Sequence, residues 1–274
     1  MNRPLVIYHG NCADGFTAAW CFWHRYGKGA DYIAGEYQTP PPDVKQRDVY
    51  MVDFSYSRAV VTEMLTEAAS VTLIDHHKTA IEDLAGLAGL ATFTDLNRSG
   101  ATLAWDYLFP SEPRPILVNY IEDRDLWRFN LPNCREIHAN ILSYEYNFEN
   151  WDRLMATSEQ ELIKMLEAGV AIERKHHKDI AELVKVCKRY MTIGGHEVPV
   201  ASLPYTLASE AANMMAENQP FAACYWDTEK TRVFGLRSTQ TGLDVSEIAK
   251  QYGGGGHPRA AGFKVPRDHI LAMS

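Results

Sequence analysis

Apolar positions along this chain follow two rhythms. Short runs, Leu5–His9, Val49–Asp53, Val71–Asp75 and Leu90–Thr94, have the length and β-branched content of strands rather than helices. Residues Asp31–Tyr37 predict a further strand, and a Pro-rich turn, Thr39–Asp43, separates it from the next. Between the runs, Gly15–Tyr26 and Tyr56–Ala69 predict helices; in the first, Ala18, Ala19, Phe22 and Tyr26 share a face. Strands alternating with helices at this spacing predict an α/β fold with a mainly parallel sheet covered by helices on both faces.

After Ser99 the pattern becomes helical: Gly100–Phe109, Arg114–Trp127, Glu136–Tyr144 and a long run from Ser158 to about Tyr190. The long run carries Leu162, Met165, Leu166, Ile172, Ile180, Leu183, Val184 and Cys187 around a polar middle, and predicts an amphipathic connector between domains. An α/β pattern then resumes, with strands at Tyr190–Ile193 and Glu197–Ser202, a helix at Leu207–Asn218, a hairpin of Phe221–Trp226 and Thr231–Arg237, and a helix at Val245–Tyr252. The expected organisation is an N-terminal domain over 1–155, a helical linker over 156–190 and a smaller C-terminal α/β domain over 191–274.

Composition narrows the class. A chain of 274 residues sits near the length at which one core gives way to two. Its 46% hydrophobic and 23% charged content is that of a globular protein, and no apolar run reaches the roughly 20 residues a membrane helix needs. A cytoplasmic enzyme with no membrane partner is the expectation. Five cysteines with no CxxC pair argue against a disulfide framework or a zinc knuckle. A net charge of −8 argues against a general grip on long duplex nucleic acid, while leaving room for a small anionic substrate.

Three of the predicted strands finish on ligand-type side chains: His9, then Asp53, then Asp75-His76-His77. Open α/β sheets gather ligands at the carboxyl ends of their strands, so these groups can share one cleft. Asp14 follows His9 at the start of a helix, where it could equally be a simple cap. Glu122-Asp123-Arg124-Asp125 adds a fourth acidic site, with Asp123 the preferred ligand and Asp125 the reserve. Carboxylates mixed with imidazoles suit Mn²⁺ or Mg²⁺, with Mn²⁺ preferred once histidine is present, and ligand types alone leave zinc and iron open as well. Two such ions about 4 Å apart activate water and neutralise a phosphoryl group. Near the C-terminus, Gly253 to Gly256 precede His257-Pro258-Arg259. Consecutive glycines permit an anion-binding concavity, to which His257, Arg259 and Arg237-Ser238 add donors.

The order and spacing of His9, Asp14-Gly15, Asp53, Asp75-His76-His77, Asp123 and Gly253–His257 with Ala260-Ala261-Gly262 resembles the DHH phosphoesterase superfamily, in the subgroup carrying a C-terminal DHH-associated domain. The resemblance implies an N-terminal α/β domain holding two Mn²⁺ ions and a C-terminal domain that binds substrate across an interdomain cleft. It implies metal ligation by His9, Asp14, Asp53, His76 and Asp123, with Asp53 bridging. It further implies that Asp75 orients the adjacent histidine and that His77 meets the phosphate or the leaving group. Arg237, Ser238, Gly254, Gly255, Gly256, His257 and Arg259 are the implied grip on substrate. One departure stands out, because Cys12 occupies the first of two positions that are usually acidic, and His9 is shifted by one.

The expected activity is that of a Mn²⁺-dependent phosphodiesterase acting on short oligoribonucleotides or on cyclic or linear dinucleotides, with Trp127 or Tyr225 as candidates to stack a base. The alternatives are a phosphatase of bisphosphate nucleotides or an exopolyphosphatase, and a nucleotide-binding module without catalysis. Oligomeric state is left open.

Overall fold

In the computed structural model, which describes residues 3–36 and 39–273, the chain divides into two compact units, 1–173 and 174–274. The first is built on a parallel sheet of β1 (Leu5–His9), β2 (Asp31–Gly35), β3 (Asp48–Val52), β4 (Ser70–Asp75) and β5 (Leu90–Thr94), in the order β2-β1-β3-β4-β5. The strand expected over 31–37 closes at Gly35, and Tyr37 lies outside the described residues. Helices α1 (Ala13–Tyr26), α2 (Arg58–Glu67), α3 (Lys78–Leu84), α4 (Gly100–Leu108), α5 (Ile116–Asp125), α6 (Cys134–Ile141) and α7 (Phe148–Met155) complete the unit.

Successive strand residues point to opposite faces, and the two faces bury separate clusters. Leu5, Ile7, Val49, Met51, Val71 and Leu73 pack with Val61 and Met64 of α2. Val6, Val52 and Ile74 join the larger cluster of α1, α4, α5, α6 and α7 on the other face. Two short helices, α3 and α7, go beyond what the sequence pattern predicts. The second is fixed by Trp151, which is fully buried and whose indole N–H donates to the Thr17 hydroxyl at 2.8 Å.

Helix α8 (Glu159–Cys187) runs through the region expected to form a separate linker. Its first half gives Met165 to the core of the first unit, and its second half gives Ile180 and Val184 to a cluster of the second. The second unit contains β6 (Arg189–Ile193), β7 (His196–Ser202), α9 (Tyr205–Met215), β8 (Ala222–Asp227), β9 (Thr231–Arg237), α10 (Val245–Lys250), β10 (Gly255–His257), β11 (Ala260–Pro266) and α11 (Ile270–Met273). Its mixed sheet runs β10-β11-β9-β8-β7-β6, parallel between β7 and β8 and antiparallel elsewhere. No helix among the described residues is long and apolar enough to cross a membrane.

A charged network locks α4 to α5. Arg98 reaches Glu122 at 3.0 Å and Asp106 at 2.9 Å, and Arg114 grips Asp106 through both of its carboxylate oxygens at 2.8 and 2.6 Å. Glu122 also accepts from the Ser99 amide at 3.0 Å and from the Thr102 hydroxyl. Burial opposes ionisation of both carboxyls, but these hydrogen bonds and guanidinium charges win and hold both below the ordinary carboxylate range. A carboxyl whose folded value is depressed adds stability in full above its unfolded value, near pH 4, and that stability disappears as the pH falls through the folded value. Urea unfolding should therefore show wild type more stable than Glu122→Gln at pH 6, with the gap closing by pH 3. A gap that stays constant across that range would contradict the role given to the network.

Candidate metal centre

The register of the parallel sheet brings three strand ends to one level. Tyr8 pairs with Val52 and Val52 with Ile74, so the next residues, His9, Asp53 and Asp75, stand in one row. Asp53 leaves the strand with φ 52°, while its amide still donates to the Ile74 carbonyl at 2.9 Å. This sharp exit is tolerated better by Asp than by bulkier residues. It turns a carboxylate that is 1% exposed into the space beyond the sheet.

Two glycines make room for it. A Cβ on Gly100 would fall 2.5 Å from Asp53 Cβ, and one on Gly15 would fall 2.5 Å from the His9 carbonyl oxygen. The start of α4 can therefore approach the strand ends closely, and its first amides, Gly100 and Ala101, donate to the two Asp14 oxygens at 2.6 and 3.0 Å. Asp14, on α1, is thus held at the amino end of a second helix, where the helix dipole favours a carboxylate. Its capping role and its place in the cluster are compatible. Ser99 and Thr102 form the capping box that fixes where α4 begins.

Around Asp53 the donor atoms converge. Its Oδ1 lies 3.0 Å from His76 Nε2 and its Oδ2 3.6 Å from His9 Nδ1. His76 Nε2 is also 3.7 Å from Asp14 Oδ2 and 3.6 Å from Asp125 Oδ2. Groups whose ligand atoms lie within 4.8 Å of one another include His9 with Cys12 and Asp53, Asp14 with His76 and Asp125, and Asp53 with Asp75, His76 and His77. Asp53 faces His9 and His76 through different oxygens. Asp75 is oriented otherwise: its Oδ1 accepts from the His76 amide at 2.7 Å, the His77 amide at 3.2 Å and His77 Nδ1 at 2.7 Å. That arrangement fixes the His77 ring by one edge and shapes the backbone of the Asp-His-His turn.

The electrostatics fit a cation. Burial pushes Asp14 well above the ordinary carboxylate range, and repulsion from Asp53 and Asp125 adds to it. Asp125 is raised by burial too. Asp53 goes the other way: burial opposes its ionisation, but hydrogen bonds from His76 and His9 hold it low. The same contacts outweigh burial at His9 and His76 and raise both. Three carboxylates sharing so few imidazoles form a site whose charge a divalent ion would balance. The donor set of carboxylate, imidazole and one thiol suits a borderline or hard cation of the Mn²⁺ type.

Not every expected residue joins the cluster. Asp123, the ligand preferred from sequence, accepts from the Asn130 and Leu131 amides at 2.9 Å each, so both of its oxygens are committed to a loop. Asp125, one half-turn further along α5, is the carboxylate that reaches His76. Sequence reasoning misses Gly100; the Ser99-Gly100 pair ahead of Thr102 is the signal that marks it.

In the second unit, Gly255–His257 forms a short strand instead of an open loop, and a Cβ on Gly254 would lie 2.1 Å from the Gly262 carbonyl oxygen. That glycine is required by packing against β11. Arg259 is tied to the carbonyls of Gly242 at 2.7 Å and Gln240 at 2.9 Å, and the Ser238 hydroxyl donates to Leu243 at 2.7 Å. Both stitch the 238–243 loop. Arg237 donates to the Ser209 hydroxyl at 2.6 Å and stands in one sheet row with Ala260 and His257.

Comparison with known proteins extends the picture. Residues 203–273 match the DHHA1 domain. Uncharacterized protein R106 of Acanthamoeba polyphaga mimivirus is 28% identical over 282 residues, which span 94% of this chain and 66% of the viral protein. Among solved structures, the pGpG-specific phosphodiesterase PggH of Vibrio cholerae shares the fold with a TM-score of 0.51 at 13% identity, over 97% of this chain and 94% of that one. Exonuclease RecJ bound to manganese does so with a TM-score of 0.50 at 15% identity, over 97% and 86%. A segment matching the DHHA1 domain thus follows a parallel-sheet unit whose fourth strand runs into Asp75-His76-His77, an arrangement similar to that of the DHH phosphoesterases.

Proposed function

We propose that this chain is a divalent-metal-dependent phosphodiesterase that hydrolyses short oligoribonucleotides or dinucleotides to nucleoside monophosphates. The observation that carries the reading is the convergence of Asp14, Asp53, Asp125, His9 and His76 around one buried carboxylate at the carboxyl ends of β1, β3 and β4. The fold shared with PggH and with manganese-bound RecJ supports the same chemistry.

In this reading His9, Cys12 and Asp53 would hold one divalent ion, and Asp14, His76 and Asp125 a second, with Mn²⁺ the ion that the donor set suits. When bound, such ions supply Lewis acidity towards water and a phosphoryl oxygen. The chain's own residues do the rest. Gly15 and Gly100 keep side chains out of the space around Asp53, and the amides of α4 hold Asp14 in place. Asp75 anchors His77 by Nδ1, which turns the Nε2 edge to the substrate, where it meets a phosphate oxygen or passes a proton to the departing sugar oxygen. Arg237 and His257 supply a grip on an anionic group.

Purified full chain with Mn²⁺ and labelled di- to pentaribonucleotides should release nucleoside monophosphates. Asp53→Ala and His76→Ala should each lower turnover by on the order of a hundredfold or more. Wild-type turnover no greater than that of these variants would remove the reading, and release of inorganic phosphate with dinucleotides left intact would replace it with a phosphatase. Gly100→Ala should abolish Mn²⁺ binding in calorimetry, because the added methyl meets Asp53. Gly29→Ala, where a methyl meets nothing within 4 Å, should leave binding unchanged. Equal Mn²⁺ affinity in the two variants would contradict the cradle.

A further inference from the structure

Trp127 lies two residues beyond Asp125, and Phe129 two beyond that, both at positive φ, 55° and 52°. A left-handed backbone is costly for a bulky side chain and persists only where its surroundings impose it. Here they do. Asp123 takes the amides of Asn130 and Leu131, its carbonyl accepts from the Arg128 amide at 2.8 Å, and the Arg128 guanidinium reaches the Asn97 carbonyl at 2.5 Å. The loop after α5 is therefore pinned at both ends.

Phe129 has a packing reason to be there, since it lies against the core of the first unit. Trp127 does not. It is half-buried, yet it neither builds nor flanks any of the four apolar clusters among the described residues. The Arg124 guanidinium lies 4.1 Å from its ring centroid, Phe129 meets it edge-on at 5.0 Å, and Arg135 sits 5.6 Å away. A large aromatic surface is thus held rigidly, under cationic side chains, two residues from a carboxylate that is 3.6 Å from His76 Nε2. Core stability does not account for that expense.

We propose that Trp127 is the base-stacking residue of the site, receiving the nucleobase of the nucleotide whose phosphate is taken up at the metal centre that Asp53 and Asp125 would build. Arg124 and Arg135 draw the anionic chain towards it, and the guanidinium over the indole stiffens the platform. Stacking is tolerant of base identity because every base has a π-face, so an indole platform selects nucleotides over base-free phosphate chains without choosing among bases. The inference rests on the phosphodiesterase reading for its substrate, but it is tested by binding alone.

The test is calorimetric titration of Mn²⁺-loaded full chain with a ribodinucleotide and with the same dinucleotide lacking one base. Wild type should bind the complete dinucleotide about ten- to a hundredfold more tightly than the abasic analogue. Trp127→Ala should bind the two alike, and Trp127→Phe should retain most of the preference. Wild type that does not distinguish the ligands overturns the proposal without any variant having to fold. So does a Trp127→Ala chain that keeps the preference. Preference without hydrolysis upholds Trp127 and removes the phosphodiesterase reading.

Discussion

A carboxylate buried to 1% exposure has to be paired, and in this chain the pairing of Asp53 organises everything around it. Its two oxygens face different imidazoles, His76 at 3.0 Å and His9 at 3.6 Å. Two further carboxyls, Asp14 and Asp125, crowd the same His76, an excess of acidic groups over imidazoles that burial and mutual repulsion keep from ionising together without a cation. A divalent cation resolves the excess, and the same excess makes the site attractive to it. The proposed chemistry descends from that imbalance.

Backbone geometry keeps the imbalance in place. The in-register ends of β1, β3 and β4 set the row, the left-handed exit at Asp53 aims its carboxylate, and Gly100 lets the amino end of α4 come close enough to hold Asp14. Glu122, Asp106, Arg98 and Arg114 then tie α4 to α5, and α5 delivers Asp125. The network outside the centre and the ligand inside it are therefore mechanically linked through two helices.

Much of this is legible in the chain itself. Interior strands write themselves as short apolar runs, so β1, β3 and β4 stand out with ends shifted by a residue at most, while the edge strand β5, with no buried residue, is legible from its length and its alternation of Leu, Thr and Phe. His9, Asp53 and His76 come from those ends. What stays hidden depends on contacts distant in sequence. Helices α3 and α7 are too short for a convincing period, and β11 has alternating buried Ala261, Phe263 and Val265 beneath a glycine-rich run that reads as a loop. The choice between Asp123 and Asp125 turns on which carboxylate meets the amides of 130 and 131, which no local pattern reports. Arg259 and Ser238 read as substrate donors because their carbonyl partners in 240–243 cannot be seen from spacing. Gly100 reads as an ordinary helix start until its distance to Asp53 gives it a reason.

Anomalous diffraction at the manganese edge from Mn²⁺-soaked crystals would locate the cations themselves. Two peaks about 4 Å apart should flank Asp53, one beside His9 and the other beside His76 and Asp125. Full-occupancy manganese elsewhere, with no anomalous density touching Asp53, would contradict that placement.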